Sequence, residues 1–330
     1  MKEKKIIHYK TRFAMTMIIG FIFLVLFSLL GMRFGAAPTS FHEIFAELQA
    51  GEGLVIDLRL PRVVLAILIG VNMAVSGFIL QSITRNPLAA PDIVGITAGG
   101  GLAAVIMILT MSNFPPIYMP IFSFIGAVIA SFLVYLFAYR NGIDPVRLAL
   151  SGVAISAGIH AIIKFLVVKY ALSASQALVW LKGSLYARSW AHVEILWPWT
   201  LAGLVIALLF FKQINLLSFN DDTVKGLGLA VDRTRLFLII LAVALAASSV
   251  AVAGTIGFVG LVIPHAARIL VGPDSRLAIP TAALLGAVLV TMSDLLGRVV
   301  LPPLEIPVGI VTSVIGAPYF LYLLLWRKKA

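Results

Sequence analysis

Long apolar segments recur along the whole chain, and most are long enough to cross a bilayer as a helix. A helix needs about 20 apolar residues to span the hydrocarbon core. Hydrophobic residues make up 61% of the 330 residues and charged residues 12%, whereas soluble domains carry roughly 25% charged residues. So few charged residues cannot cover a soluble core. The sequence therefore predicts an all-α, polytopic membrane protein with a single transmembrane domain over residues 1–330.

Ten spans are predicted from these segments. The first follows a basic start, as a signal peptide does, but its apolar stretch exceeds the usual length of about 7–15 residues and favours a retained helix. The eighth is short and contains Pro264, His265 and Arg268, so it is the weakest of the ten as a full crossing. The predicted spans cover residues 13–32, 61–82, 93–111, 117–138, 146–170, 195–212, 234–253, 256–271, 278–298 and 307–326.

The distribution of positive charge predicts the orientation of these spans. Ten spans place both termini on one side of the membrane, and both termini are basic. Most of the 25 Lys and Arg residues lie in segments on that same side, which the positive-inside rule assigns to the cytoplasm. The same bias accounts for the net charge of +11, so we expect membrane lipid and no nucleic acid as a partner.

Three arginines lie on the opposite, outer face, where positive charge is scarce. Arg59 and Arg62 precede the second span, and Arg298 ends the ninth. Two interpretations stay open. Each arginine can extend to lipid head groups, with Arg298 paired to Asp294 one turn earlier. Together they can instead form a basic rim around an outer opening, which would suit an acidic partner.

Several kinds of chemistry lack their sequence signatures. The chain has no G-x-x-x-x-G-K-[ST] loop for nucleotide phosphates and no H-E-x-x-H zinc motif. It has no cysteine, which excludes disulfides and thiolate metal sites. Asp294 is the clear candidate for a buried carboxylate, whereas ion-coupled carriers usually place ionisable groups along their pathway. We therefore expect no catalytic residues, no metal site and no cofactor in this chain.

Small and weakly polar residues recur every four positions in the fifth predicted span. Gly152, Ser156 and His160 share one face of that helix. Close helix packing through small residues is one interpretation, and the lining of a translocation pathway is the other.

The segment 216–235 joins two predicted spans on the cytoplasmic side. Three residues that favour helix starts predict a short helix there, and two glycines predict its end. A solvated connecting loop is the simpler interpretation, and a docking surface for a cytoplasmic motor is the alternative. The residues are Asn220, Asp221, Asp222, Gly226 and Gly228.

Six segments distributed along the chain carry a family resemblance. They are "LRLPR" (58–62), "SGFILQSITRNPLAAPDIVG" (76–95), "LVWLKGS" (178–184), "GTIGFVGLVIPHAARILVGPDSR" (254–276), "SDLLGR" (293–298) and "EIPVGIVTSVIGAPYFLYLL" (305–324). In this order they resemble the FecCD-type permeases of ABC importers for iron siderophores and cobalamin. One departure is Ser275, where the family often has His.

The resemblance implies a ten-helix permease subunit of the bacterial cytoplasmic membrane that pairs with a second permease, identical or paralogous. Two ATPase subunits, which hold ATP and Mg²⁺, are expected at its cytoplasmic face, and a substrate-binding protein outside. By motif match, Arg59, Arg62 and Arg298 would contact acidic residues of the binding protein. The segment 216–235 would couple to the ATPases, and the fifth and tenth helices would line the pathway.

The expected cargo is a ferric siderophore, with cobalamin or haem as alternatives within the same family. Two other classes are weaker. A secondary transporter driven by an ion gradient would need the intramembrane acids that the sequence lacks, and an intramembrane enzyme would need a nucleophile with a base, or a metal.

Overall fold

Helices form almost the whole molecule. The computed structural model describes residues 2–35, 39–111, 115–140, 142 and 144–326, and it contains no β-strand within them. The α-helices are α1 (Lys2–Arg33), α2 (Phe41–Ala50), α3 (Leu60–Thr84), α4 (Ile96–Thr110), α5 (Met119–Ala138), α6 (Pro145–Lys169), α7 (Ala174–Leu181), α8 (Trp190–Leu209), α9 (Phe211–Leu217), α10 (Asp221–Gly226), α11 (Val231–Ala253), α12 (Val259–Val271), α13 (Ser275–Val299) and α14 (Val308–Trp326).

Each predicted span coincides with one of these helices. Among the described residues, seven helices are long and apolar enough to cross a membrane: α1, α3 with the π-helical turn before it, α5, α6, α8, α11 and α13. The shorter apolar helices α4, α12 and α14 occupy the positions of the third, eighth and tenth predicted spans. The all-α, multi-pass membrane fold expected from composition is confirmed.

Some boundaries differ from the prediction for local reasons. The sixth span was predicted at 195–212, but α8 begins at Trp190 because Ser189 and His192 form a capping box there. The helix then breaks at Phe210 before α9. The short helix predicted in the segment 216–235 is present as α10, with Asn220 at its N-cap.

α3 and α11 form the centre of the bundle. Both are largely enclosed by neighbouring helices, whereas most of α1 and α6 faces outward. α3 packs on α13 and α12 at positions without side chains: a Cβ on Gly70 would overlap the carbonyl of Gly286, and one on Gly77 would overlap that of Gly260. Such small residues let helix backbones approach closely in membranes, where the hydrophobic effect does not drive helix association. Because the helices at the centre are closely packed, the candidate functional residues lie at the ends of helices and on the face formed by α6 and α14.

Candidate functional site

The structure brings the three predicted docking arginines together at one end of α3 and α13. Arg62 donates to Asp294 from Nε and NH2, at 3.0 and 2.9 Å from Oδ1. Its NH1 lies 2.9 Å from Oε2 of Glu305. Arg298 reaches the other carboxylate oxygen of Asp294 at 3.0 Å, one turn along α13, so the pairing proposed from the sequence is present. Asp294 therefore joins Arg62 and Arg298 in one buried ion network.

Arg59 and Arg298 also bind the end of α1. Arg59 donates through NH1 to the carbonyls of Met32 and Arg33, at 2.6 and 2.9 Å. Arg298 donates to two further carbonyls of this segment, at 2.8 and 3.0 Å. The last carbonyls of a helix have no intrahelical donor and carry the negative end of its dipole. Both arginines are 7% exposed, so in this structure their donor groups stabilise the helix end rather than extend outward.

A cavity of about 350 Å³ lies beside this network. We call it the arginine pocket. Its charged lining, within the described part of the chain, consists of Arg59, Arg62, Arg188, Arg298 and Glu305. The four guanidinium groups outnumber the carboxylates that neutralise them, Glu305 in the lining and Asp294 behind it, so the pocket keeps an excess of positive charge that suits an anionic group.

Arg188 was not among the predicted site residues. It lies in the loop before α8, and its NH1 is 3.4 Å from Nε2 of His192, at the start of α8. Burial lowers the pKa of Arg188 from its ordinary value, yet a guanidinium remains charged at neutral pH. The loop reaches the pocket because Trp190 donates through Nε1 to the carbonyl of Ile56, at 2.9 Å. The sequence signal was an arginine in an otherwise apolar, aromatic segment.

The predicted coupling residue Asp221 links α10 to two other helices. Its carboxylate accepts from NH2 of Arg85, just after α3, at 2.8 Å and from NH2 of Arg235, on α11, at 2.9 Å. Arg85 also donates to the carbonyl of Phe219, at 3.2 Å. Burial opposes the charge of Asp221, but the hydrogen bond and charge of Arg235 and the charge of Arg85 outweigh it and lower the pKa of Asp221.

The other predicted coupling residues frame this helix. Asn220 occupies the N-cap position of α10 without a side-chain capping bond. Gly226 is the last residue of the helix, and Gly228 has a φ of 82°, a conformation that glycine adopts without strain. The side chain of Asp222 lies outside the described part of the chain.

A larger cavity, of about 1080 Å³, lies along α6 and α14, and we call it the central cavity. Two of the three predicted pathway residues, Ser156 and His160, are in its wall. Gly152 is instead buried against the segment before α4, where a Cβ would overlap the carbonyl of Ile93. The residues of α14 that line this cavity lie between Gly309 and Pro318.

Two charged residues of the central cavity were not predicted as site residues: Asp92 and Lys182. Asp92 comes just before an apolar run, a position that favours a helix cap, but α4 begins after Gly95 without a side-chain cap. Although the Asp92 side chain is open to the cavity, the protein packed around it disfavours its charge and raises its pKa. A hydrogen bond from Thr97 and the charge of His160 act in the opposite direction.

The face of α6 beside the central cavity is apolar and uncovered. Val153, Phe165 and Val168 are 61%, 64% and 77% exposed, and Val314 on α14 is 67% exposed. Apolar side chains on this face contact either lipid or another apolar protein surface. Within the described residues, no group of three or more His, Asp or Glu side chains could hold a metal ion.

Comparisons with known proteins agree over nearly the whole chain. The model of the FecCD transport family matches residues 21–326. The chain is 42% identical over 330 residues to the Fe(3+)-citrate import system permease protein YfmE of Bacillus subtilis (strain 168), covering 99% of each protein. It is 40% identical over 281 residues to the cobalamin import system permease protein BtuC of Halobacterium salinarum, covering 85% of this chain and 75% of that protein.

A solved structure has the same fold. It is an ABC transporter assigned to the metal-chelate type, in an inward-facing conformation, with a TM-score of 0.81 and 28% sequence identity. The match covers 95% of this chain and 99% of that chain. The similarity therefore extends over nearly the whole chain.

Proposed function

Because the chain belongs to the FecCD transport family, we propose that it is the permease subunit of an ABC importer that carries a ferric siderophore chelate across a bacterial cytoplasmic membrane. Ferric cargo is favoured because several relatives are named for it, among them the Fe(3+)-citrate permease YfmE and the iron(3+)-hydroxamate permease FhuG. Cobalamin is the alternative cargo, since one relative of similar identity is named for it.

The central cavity carries this proposal. Ligand sites for drug-sized molecules occupy about 300–1,000 Å³, and a cavity of about 1080 Å³ has room for a metal chelate of that size. Its wall offers few groups that would hold a ligand tightly. They are the hydroxyls of Thr97, Ser156, Thr255 and Ser313, the imidazole of His160, and the charged side chains of Asp92 and Lys182. A pathway must bind its cargo weakly enough to release it, and this wall fits that requirement.

A second permease subunit would complete the cavity. The cavity lies beside the uncovered apolar face of α6, and a partner packed there would cover Val153, Phe165 and Val168. A homodimer and a pair of paralogous permeases would both do so. We assign this face to the permease partner rather than to lipid, because a pathway open to lipid could not hold a polar chelate.

The arginine pocket is the proposed docking site for a substrate-binding protein. Its four guanidinium groups would receive an acidic side chain from the partner. Arg59, Arg62 and Arg298 thus remain the proposed docking residues, with Arg188 as a fourth. Since Arg59 and Arg298 also bind the end of α1, docking at this pocket would act directly on the position of that helix.

ATPase subunits would act at the opposite end, through α10. Asp221 joins α10 to the end of α3 and to the start of α11, the two central helices. A displacement of α10 by the ATPases would therefore reach the bundle centre through ion pairs rather than through a flexible loop. No catalytic role is proposed for this chain, and ATP hydrolysis would take place in the partner subunits.

Transport by the assembled complex tests this function. The permease, purified from its native membrane with its associated subunits, is placed in proteoliposomes with ⁵⁵Fe-labelled chelate. We expect uptake that requires both ATP and an added binding protein. Uptake that follows an imposed ion gradient in the absence of ATP would contradict the proposal and support a secondary transporter.

A further inference from the structure

The central cavity has opposite charges at two places in its wall. Asp92 precedes α4, and Lys182 follows α7. α4 extends from one to the other: it begins at Ile96, just after Asp92, and at Gly101 a Cβ would lie 3.0 Å from the side chain of Leu181, the neighbour of Lys182. The carboxylate and the ammonium group therefore lie at two positions of the cavity wall, about one and a half turns of α4 apart, which we call the Asp92 end and the Lys182 end.

The Asp92 end also contains the polar residues of α6. Ser156 Oγ lies 3.5 Å from the carbonyl of Asp92, and the charge of His160, one turn further along α6, acts on the Asp92 carboxylate. The Lys182 end contains the start of α14, because a Cβ on Gly309 would overlap the carbonyl of Lys182. Among the described residues of the cavity wall, Asp92 is the one carboxylate.

We propose that Asp92 is the charge-selective residue of the central cavity, favouring neutral and cationic groups at its end and opposing the passage of polyanionic chelates held at the Lys182 end. This inference rests on the proposed function, because it takes the cavity as the pathway. It also makes the cargo class more specific: an uncharged ferric trihydroxamate would pass Asp92 more readily than a polyanionic ferric catecholate.

The physical reason is the low polarity of the surroundings. A unit charge acts on another with an energy of about 332/(ε·r) kcal/mol, and near a protein surface the effective ε is about 20. In a cavity bounded by apolar helices, counterions screen such a charge less than they would at an open surface. A single carboxylate in the wall can therefore change the local concentration of a charged solute severalfold.

The chain itself contains no cysteine, so this field can be measured with single-cysteine reporters. Ile310→Cys places a thiol near the Lys182 end, next to Gly309, and Ala317→Cys places one in the cavity wall about two turns further along α14, away from Lys182. Each reporter is reacted with cationic trimethylammonium-ethyl, anionic sulfonatoethyl and neutral hydroxyethyl methanethiosulfonate, in the assembled complex in nanodiscs. The ratio of the cationic to the anionic rate reports the local potential.

Neutralising Asp92 should change this ratio more at the reporter that lies away from Lys182, Ala317→Cys. With Asp92→Asn we expect the cationic-to-anionic ratio at Ala317→Cys to fall roughly three- to tenfold, and to fall less at Ile310→Cys. Lys182→Gln should instead raise the ratio, more at Ile310→Cys than at Ala317→Cys. The neutral reagent should react at unchanged rates, which shows that the substitutions alter charge rather than access.

Three results would overturn the inference. The first is an unchanged cationic-to-anionic ratio at Ala317→Cys in Asp92→Asn. The others are a change in the rate of the neutral reagent as large as that of the charged reagents, or no reaction at either reporter. None of these depends on transport. Absence of ATP-driven uptake by the parent complex would instead contradict the proposed function, so the two failures are distinguishable.

Discussion

Arg62 and Asp294 lie 232 positions apart in the sequence and form an ion pair in which Nε and NH2 of the guanidinium both donate to Oδ1, at 3.0 and 2.9 Å. Asp294 is 3% exposed and also pairs with Arg298. Two arginines of one cluster thus share a single buried carboxylate, while Glu305, which is 27% exposed in its side chain, forms its ion pair with Arg62 from a more open side.

Removing the charge of Asp294 should destabilise the fold. Asp294→Asn leaves Arg62 and Arg298 close together without their shared counter-charge, and loss of one partner of a buried ion pair costs about 3–5 kcal/mol. We expect a clearly lower midpoint of thermal unfolding for the purified permease. Glu305→Gln is the matched control and should cause a much smaller decrease. Equal decreases would contradict the central place of Asp294 in the network.

Reversing the charge of Arg188 should weaken docking of the binding protein. Arg188→Glu places a carboxylate where the pocket would receive one, so we expect affinity to fall at least about tenfold, equivalent to about 1.4 kcal/mol. The measurement is the Kd of the binding protein for the permease in nanodiscs. Lys169→Glu makes the same charge change on an exposed side chain at the end of α6, outside the pocket lining, and should leave the Kd within about twofold. Similar losses for both would mean that only net charge matters.

Neutralising Asp221 should uncouple ATP hydrolysis from transport. Asp221→Asn removes the charge that binds Arg85 and Arg235 to α10, and charge-assisted bonds are roughly twice as strong as neutral ones. We expect the number of ATP molecules hydrolysed per chelate transported to rise severalfold, with the ATPase still bound. Asp232→Asn, an exposed carboxylate at the start of α11, is the control and should leave the ratio unchanged. Unchanged coupling in both variants would remove α10 from the proposed transmission path.

The sequence predicted the spans well because their signal is local. About 20 apolar residues identify a crossing whatever surrounds them, and the ten predicted spans coincide with helices in the structure. The helix boundaries were less predictable. The start of α8 depends on a capping box at Ser189, and hydropathy does not detect such a polar interaction.

The environment of the arginines was not predictable from the sequence. Arg59, Arg62 and Arg298 stand out as outer charges, but the carbonyls that bind Arg59 and Arg298 belong to the end of α1, and no sequence pattern connects those positions. Arg188 escaped notice because it enters the pocket only through the packing of its loop against Ile56.

The environment of Asp92 at the central cavity was likewise not predictable from the sequence. A carboxylate before a glycine and an apolar run favours a helix cap, and this local interpretation was wrong because α4 begins after Gly95 without a side-chain cap. Whether Asp92 faces a cavity depends on where α6 and α14 lie, which are distant in the sequence. The sequence shows that acidic residues are scarce within the predicted spans. It does not show that they are absent from the wall of the pathway, where Asp92 lies.

The charge of the central cavity should depend on pH through Asp92. The segment Pro91–Val94, which contains Asp92, packs against α3, α4, α5, α6 and α11. Of these helices, α6 contributes the His160 imidazole and α4 the Thr97 hydroxyl to the surroundings of the carboxylate. Lys182 lies at the other end of the cavity. Since the protein packed around Asp92 raises its pKa, the carboxyl gains its proton at a higher pH than an ordinary aspartate as the pH falls.

A lower pH should therefore reduce the preference of the cavity for cations. We expect the cationic-to-anionic rate ratio at Ala317→Cys to fall as the pH is lowered from about 8 to about 5, and Asp92→Asn to remove most of this change. The ratio cancels the ionisation of the reporter thiol, because both reagents react with the same thiolate. His160→Gln is measured in parallel, because the charge of His160 also acts on the Asp92 carboxylate. If the pH dependence persists in Asp92→Asn and disappears in His160→Gln, the histidine and not the carboxylate controls the field.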